Sequence, residues 1–291
     1  MLLIEDQQLN VIDRGSGIPV LLIHGFPLQA AMWDYQVDAL VGAGWRVVAV
    51  DLPGFGGSPT PADPTSCSMD GYADLIAGVI DQLDLGQVVL GGISMGGYIA
   101  FAFVRRHADR LRAIVLADTR AQADDGNTWQ DRTDQQRLLR DGEPISTIAK
   151  PLVEKLLGRP ALRHQDLVDY VSALMTGNTE DGLIGALEAM KHRPDSMLTL
   201  NQVTVPTLVL VGSQDRVTPL IEANLIRSKI GELAELVTVP EAGHLSNLEN
   251  PLDFNELLLD FLHRLDGAPE RPAPAPDDVE VDATDPATTS D

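Results

Sequence analysis

Val88-Val89-Leu90-Gly91-Gly92-Ile93-Ser94-Met95-Gly96-Gly97 decides how this chain is read. It opens as an apolar, β-branched run, passes through Gly-x-Ser-x-Gly, and continues into the helix-forming stretch Tyr98 to Phe103. Composition alone gives about 0.1 chance matches to that motif in a chain of this length, so the motif by itself is weak. Its setting carries the weight, because a strand, a tight turn and a helix are the context in which the motif has a mechanical meaning. The turn holds Ser94 in strained dihedrals, and side chains at Gly92 and Gly96 would clash. The strain presents the Ser94 hydroxyl at the end of a strand, where the N–H groups of the following helix point at the same spot.

Working outward, apolar runs alternate with helix-like stretches. Pro19 to Ile23, Trp45 to Val50, Ala113 to Ala117, Pro206 to Val211 and Ala234 to Val239 join Val88 to Leu90 as predicted strands. They are near-continuous rather than alternating, as expected of parallel strands buried on both faces. Segments 30–43, 70–84, 95–108 and 219–230 are long enough to be crossover helices, which predicts a doubly wound, mostly parallel α/β domain. Leu2 to Asp13 reads as a leading edge strand or hairpin. Residues 120–200 exceed any crossover, and apolar spacing at Ile145, Ile148, Leu152 and Leu156 predicts a mostly helical insertion over one end of the sheet. Such folds keep their ligand sites at the carboxyl ends of the strands.

A serine hydroxyl needs a base. Of six histidines, His244 alone follows a strand on a loop of small residues, Glu241-Ala242-Gly243-His244. Asp215 ends the turn after the Pro206–Val211 run and is the preferred acid to orient the imidazole. Asp118, after the Ala113–Ala117 run, is its rival, with a structural reading as a polar group closing a strand end. His24-Gly25-Phe26-Pro27 follows the first long strand. There the Phe26 N–H, with the Met95 N–H beside the serine, can form an oxyanion hole. His24 reads as a structural residue that holds this loop.

The chain of 291 residues carries 43 acidic and 21 basic side chains, a net charge of −22. That charge disfavours nucleic acid and anionic membrane surfaces as partners. One cysteine, Cys67, excludes an internal disulfide. The N-terminus lacks the basic, then apolar pattern of a signal peptide, and no apolar run reaches about 18 residues, so a cytoplasmic protein is expected. Residues 267–291 hold five prolines, no aromatic residue and a net charge of −6. They are expected to form a disordered acidic tail.

The motifs at 24–27, 51–58, 92–97, 212–215 and 243–244 jointly resemble the α/β-hydrolase family over residues 1 to about 265, and Ser94, Asp215, His244 stand in that family's chain order. The resemblance implies an eight-stranded sheet with the core at 1–119 and 201–266 and a helical cap at 120–200, placed before the acid-bearing strand. It implies Ser94, Asp215 and His244 as catalytic residues and no cofactor or metal. The serine sets the chain apart from epoxide hydrolases and haloalkane dehalogenases of this fold, which carry Asp there. The loop His-Gly-Phe-Pro differs from the His-Gly-Gly-Pro-Gly form usual in proline iminopeptidases and meta-cleavage C–C hydrolases. Carboxylesterases, enol-lactonases and cofactor-free haloperoxidases or perhydrolases fit best. A triad-retaining ligand sensor is the alternative. With no basic cluster near the motifs, a small, mostly apolar ester or lactone is the expected substrate.

Overall fold

The structure, a computed structural model, describes residues 1–4 and 6–269. The predicted tail therefore lies, from residue 270 onward, outside the described residues. The chain runs β1 (Leu2–Ile4), β2 (Gln7–Leu9), β3 (Val11–Arg14), β4 (Pro19–Ile23), α1 (Asp34–Gly42), β5 (Arg46–Val50), α2 (Met69–Gln82), β6 (Val88–Ile93), α3 (Met95–His107) and β7 (Leu111–Ala117). Four helices follow before the next strand: α4 (Gly126–Arg140), α5 (Ile145–Leu156), α6 (Gln165–Thr176) and α7 (Glu180–Lys191). Then come β8 (Thr207–Gly212), α8 (Leu220–Ile230), β9 (Ala234–Val239), the single turn α9 (Ser246–Glu249) and α10 (Pro251–Leu262).

Among the described residues the main sheet has seven strands in the order β3-β5-β4-β6-β7-β8-β9. Only β3 runs antiparallel, against β5. Among the described residues no eighth strand joins it: β1 and β2 pair with each other, Leu2 opposite Leu9, as the hairpin reading of this segment expects, instead of extending the sheet. Apolar packing decides this. Ile4 and Leu9 are buried, and Ile4 seats on Gly78 of α2, where a Cβ would overlap its side chain.

Alternation along each strand sends neighbours to opposite faces, and both faces are covered. Val20 and Leu22 of β4 pack with α1 and α10 residues such as Val37, Leu40, Phe254 and Leu258. Leu21 and Ile23 pack with α2 and α3 residues such as Ile76, Ile80, Ile99 and Phe103. Each such side chain stabilises by about 1.5–3 kcal/mol when fully buried, which makes β4 and β6 a rigid platform.

The strand order creates the site. From β4 the chain moves outward to β5, then crosses back over β4 to β6. The order reverses between β4 and β6, and ligands bind at the carboxyl ends of strands at such a reversal. Residues 24–27 follow β4 and Ser94 follows β6, so both reach this crevice. The four helices between β7 and β8 are tied to the same edge. Asn178 donates through Nδ2 to the Pro27 carbonyl (2.7 Å) and accepts through Oδ1 from the Gly56 N–H (2.9 Å). Within the insertion, Gln136 of α4 donates to the Ile184 carbonyl of α7 (2.9 Å).

Candidate active site

The turn after β6 holds Ser94 at φ +54° and ψ −112°, a conformation that costs a non-glycine residue on the order of 1–3 kcal/mol. The surroundings enforce it. The Ser94 N–H donates to the Ala117 carbonyl (2.9 Å), and its carbonyl accepts from Thr119 Oγ1 (2.8 Å). A Cβ on Gly96 would overlap the Ile23 carbonyl, and one on Gly92 would overlap the Gly96 carbonyl. The glycines flanking Ser94 are therefore steric necessities, as the motif predicts.

His244 hangs on the loop after β9, where its own N–H donates to the Leu156 carbonyl at the end of α5 (2.8 Å). Its Nε2 lies 2.8 Å from Ser94 Oγ and its Nδ1 2.8 Å from Asp215 Oδ2. With Nδ1–H donating to the carboxylate, Nε2 presents a lone pair to the serine hydroxyl. Ser94, Asp215 and His244, which come from turns up to 150 positions apart, thus form one hydrogen-bonded chain.

Asp215 is fixed from its other side as well. Oδ1 accepts from the Val217 N–H (2.7 Å) and the Thr218 N–H (3.0 Å), and Oδ2 accepts from Thr218 Oγ1 (2.7 Å). Burial pushes this carboxyl up, but the His244 charge and the hydrogen bonds from His244 and Thr218 outweigh it and hold it at about 2. Burial likewise pushes the His244 imidazole down, and the Asp215 charge and hydrogen bond, with Asp118 and Glu249 behind them, bring it above its ordinary value. The pair is arranged to carry a proton on the imidazole.

Asp118, the rival acid, stands elsewhere in the network. It accepts from the Gly212 N–H (2.8 Å), the Ser246 N–H (3.1 Å) and Ser246 Oγ (2.5 Å), clamping the end of β8 to the segment after His244. Complete burial and the neighbouring Asp215 charge push its carboxyl up to about 8. No hydrogen bond joins it to His244 among the described residues. His24 is structural in geometry: Leu52 N–H donates to Nε2 (3.1 Å), and Nδ1 is 3.0 Å from the Gly25 carbonyl. Burial pushes this imidazole down, toward the neutral form.

Two N–H groups stand free beside Ser94. Met95 is the first residue of α3, where an N–H has no intrahelical partner. Neither Met95 nor Phe26 donates from its backbone to any of the described residues. Gly25 brings the second loop in: a Cβ there would sit 3.4 Å from Ser94 Cβ. The arrangement can hold an oxyanion in front of an activated hydroxyl.

Three contributors were not singled out from the sequence. Thr218 supports Asp215, and the Asp-x-x-Thr spacing of a hydroxyl-capped turn is a signal that could have found it. Glu249 gathers the N–H groups of Gly158 (2.7 Å), Gly243 (2.9 Å) and Leu245 (3.0 Å), fixing the His244 loop against the end of α5. Thr119 braces the turn. No group of three His, Cys, Asp or Glu side chains able to hold a metal occurs among the described residues. Nor is any described helix long and apolar enough to cross a membrane.

A cavity of about 220 Å³ opens onto Ser94, His244 and Phe26. Two of the apolar residues spaced along the insertion, Leu152 and Leu156, line it. The rest of the lining corrects the expectation that no basic cluster stands near the motifs. Arg120, Arg132, Lys155 and Arg216 all face this cavity, with Asp131 the one acid among them.

The family model described as alpha/beta hydrolase fold matches residues 18–251. The chain belongs to that family. It is 32% identical over 267 residues to the AB hydrolase superfamily protein YisY of Bacillus subtilis, covering 88% of this chain and 96% of that one. It is 27% identical to 3-oxoadipate enol-lactonase 2 of Acinetobacter baylyi, covering 86% and 91%. Among solved structures, a thermophilic esterase from Thermogutta terrifontis superposes with a TM-score of 0.84 at 35% identity, covering 89% and 94%. A 2-hydroxymuconate semialdehyde hydrolase from a Pseudomonas strain also matches, at 29% identity. The His-Gly-Phe-Pro loop therefore does not by itself separate this chain from hydrolases of that kind.

Proposed function

We propose that this chain is a serine hydrolase that opens small esters or lactones through an acyl-enzyme on Ser94. The observation that carries this reading is the 2.8 Å approach of His244 Nε2 to Ser94 Oγ at the floor of a cavity. His244 takes the hydroxyl proton as Ser94 Oγ bonds to the substrate carbonyl. The Phe26 and Met95 N–H groups receive the oxyanion, and Asp215 holds the imidazolium. His244 then protonates the departing alkoxide. It next takes a proton from water as the water oxygen attacks the acyl carbonyl, and returns that proton to Ser94 Oγ as the C–Oγ bond breaks and the carboxylic acid leaves.

Helices α4 to α7 act as a cap, of which α4, α5 and α7 wall the cavity and limit substrate size. No metal or cofactor enters these steps, and the partner is a small molecule. The match to a thermophilic esterase and to an enol-lactonase supports the ester or lactone class. Turnover of phenyl acetate and of simple lactones, with Ser94→Ala as control, tests the proposal. Turnover abolished in the variant is the expected result. Fluorophosphonate labelling of Ser94 with no turnover of any ester or lactone would overturn the enzyme reading in favour of a ligand sensor.

A further inference from the structure

The chain has only 21 cationic side chains against 43 acidic ones, yet four cations line the cavity that holds Ser94. They come from four separate segments: Arg120 after β7, Arg132 on α4, Lys155 on α5 and Arg216 after β8. In a molecule of this charge, cations gathered on one small cavity are a local feature that the average composition opposes.

Their pairing is incomplete. Asp124, 1% exposed, is the acid at the centre of the group. It accepts from Arg132 Nε (2.6 Å), Arg193 Nη1 (2.6 Å) and Arg120 Nη2 (3.1 Å). Three guanidinium groups thus share one carboxylate. Arg193 lies behind the cavity wall, 4.0 Å from the centroid of the Tyr98 ring, and that ring lines the cavity. Arg120 Nε and Arg193 Nε are buried without hydrogen-bond partners. Arg132 spends Nε and Nη2 on Asp124, which leaves Nη1 without a partner among the described residues. Lys155 and Arg216 stand at the more exposed rim, and Lys155 pairs with none of the described residues. Arg120 is also hydrogen-bonded to the Tyr98 side chain, and Glu222 is the other acid acting on it, at longer range. Guanidinium groups crowded on one carboxylate leave positive charge over, and the free Arg132 Nη1 and the unpaired Lys155 ammonium are donors on the cavity that a carboxylate can take up.

We infer that the substrate is an ester or lactone carrying a free carboxylate, held by Arg120 and Arg132 beneath the cap, with Lys155 at the rim, while its scissile carbonyl lies on Ser94. This deepens the hydrolase reading above and rests on it. A substrate anchored at both ends is oriented before chemistry begins, so the carboxylate contributes to kcat/KM and not to turnover of neutral esters.

The test compares matched ester pairs that differ only in charge. Monophenyl adipate is set against phenyl adipamate, which places the charge on the acyl side. 3-Carboxyphenyl acetate is set against 3-carbamoylphenyl acetate, which places it on the alcohol side. For at least one pair, kcat/KM should favour the carboxylate by about tenfold or more, as expected for a charge-assisted contact. The ratio should fall several-fold in Arg132→Gln, less in Arg132→Lys, and also in Lys155→Gln, whose exposed and unpaired side chain can be replaced without disturbing the fold. Free adipate or benzoate should protect Ser94 from fluorophosphonate labelling, and the corresponding amides should not. Ratios near one for both pairs, with phenyl acetate still hydrolysed, would overturn the inference and leave the hydrolase reading intact. Absence of both labelling and hydrolysis would overturn the two together.

Discussion

Replacing Asp215 by Asn changes one atom and inverts the logic of the site. The oxygen of the amide is claimed by the Val217 and Thr218 N–H groups, which lie 2.7 and 3.0 Å from Oδ1. The amide NH₂ then occupies the Oδ2 position, 2.8 Å from His244 Nδ1. Because NH₂ can only donate, Nδ1 must accept, and the imidazole proton moves to Nε2. His244 then presents an N–H, not a lone pair, to Ser94 Oγ. The imidazolium of the transition state also loses its counter-charge. At 2.8 Å that attraction is about 6 kcal/mol for an effective dielectric constant of about 20, equivalent to about four decades in rate. A fall in kcat of about 10³–10⁴-fold at neutral pH is expected. Phenyl acetate hydrolysis measures it, with the thermal midpoint as a control for folding. A fall of less than tenfold in a folded variant would refute the reasoning. A greater loss in Asp118→Asn than in Asp215→Asn would move the acid's role to Asp118.

Three further outcomes follow from the same geometry. The pH profile of kcat/KM should rise with pH and inflect above 6.5, because Asp215 raises the His244 pKa and only the neutral imidazole is a base; an inflection below 6.5 contradicts this. The same shift means that His244 stabilises the fold at pH below its unfolded pKa and that this contribution is lost as pH rises through the folded value. Asp118→Ala strands the Gly212 N–H and both donors of Ser246, so a loss of about 2–4 kcal/mol in stability is expected from denaturant unfolding, with a smaller effect on kcat than Asp215→Asn. Gly96→Ala drives a methyl group into the Ile23 carbonyl and should cost about 1–3 kcal/mol, read as a lowered thermal midpoint together with reduced ester turnover.

The parts of the molecule that are local in the chain were legible in the sequence. β4 and β9 occupy the predicted runs, and the turn at Ser94 has the predicted strand before it and helix after it. His244 could be picked out because its loop offers small residues and follows a strand. Asp215 could be ranked above Asp118 because its strand adjoins β9, and the two strands do pair. What the sequence could not show is tertiary convergence. Arg120, Arg132, Lys155 and Arg216 are ordinary surface cations one by one, spread over nearly a hundred positions, and only the fold brings them to one cavity. The β1–β2 pair is the hairpin that Leu2 to Asp13 allowed, but its seat against Gly78 of α2 is tertiary and lies outside that segment.

Catalysis through this site requires that Ser94 become covalently acylated during turnover. Rapid quenching of the protein with phenyl acetate, followed by peptide mass mapping, tests it most directly. A single acetyl group is expected on the Ser94 peptide, decaying at the turnover rate and absent in Ser94→Ala. Undiminished hydrolysis by Ser94→Ala, or an acetyl group mapped to another residue during turnover, would contradict it.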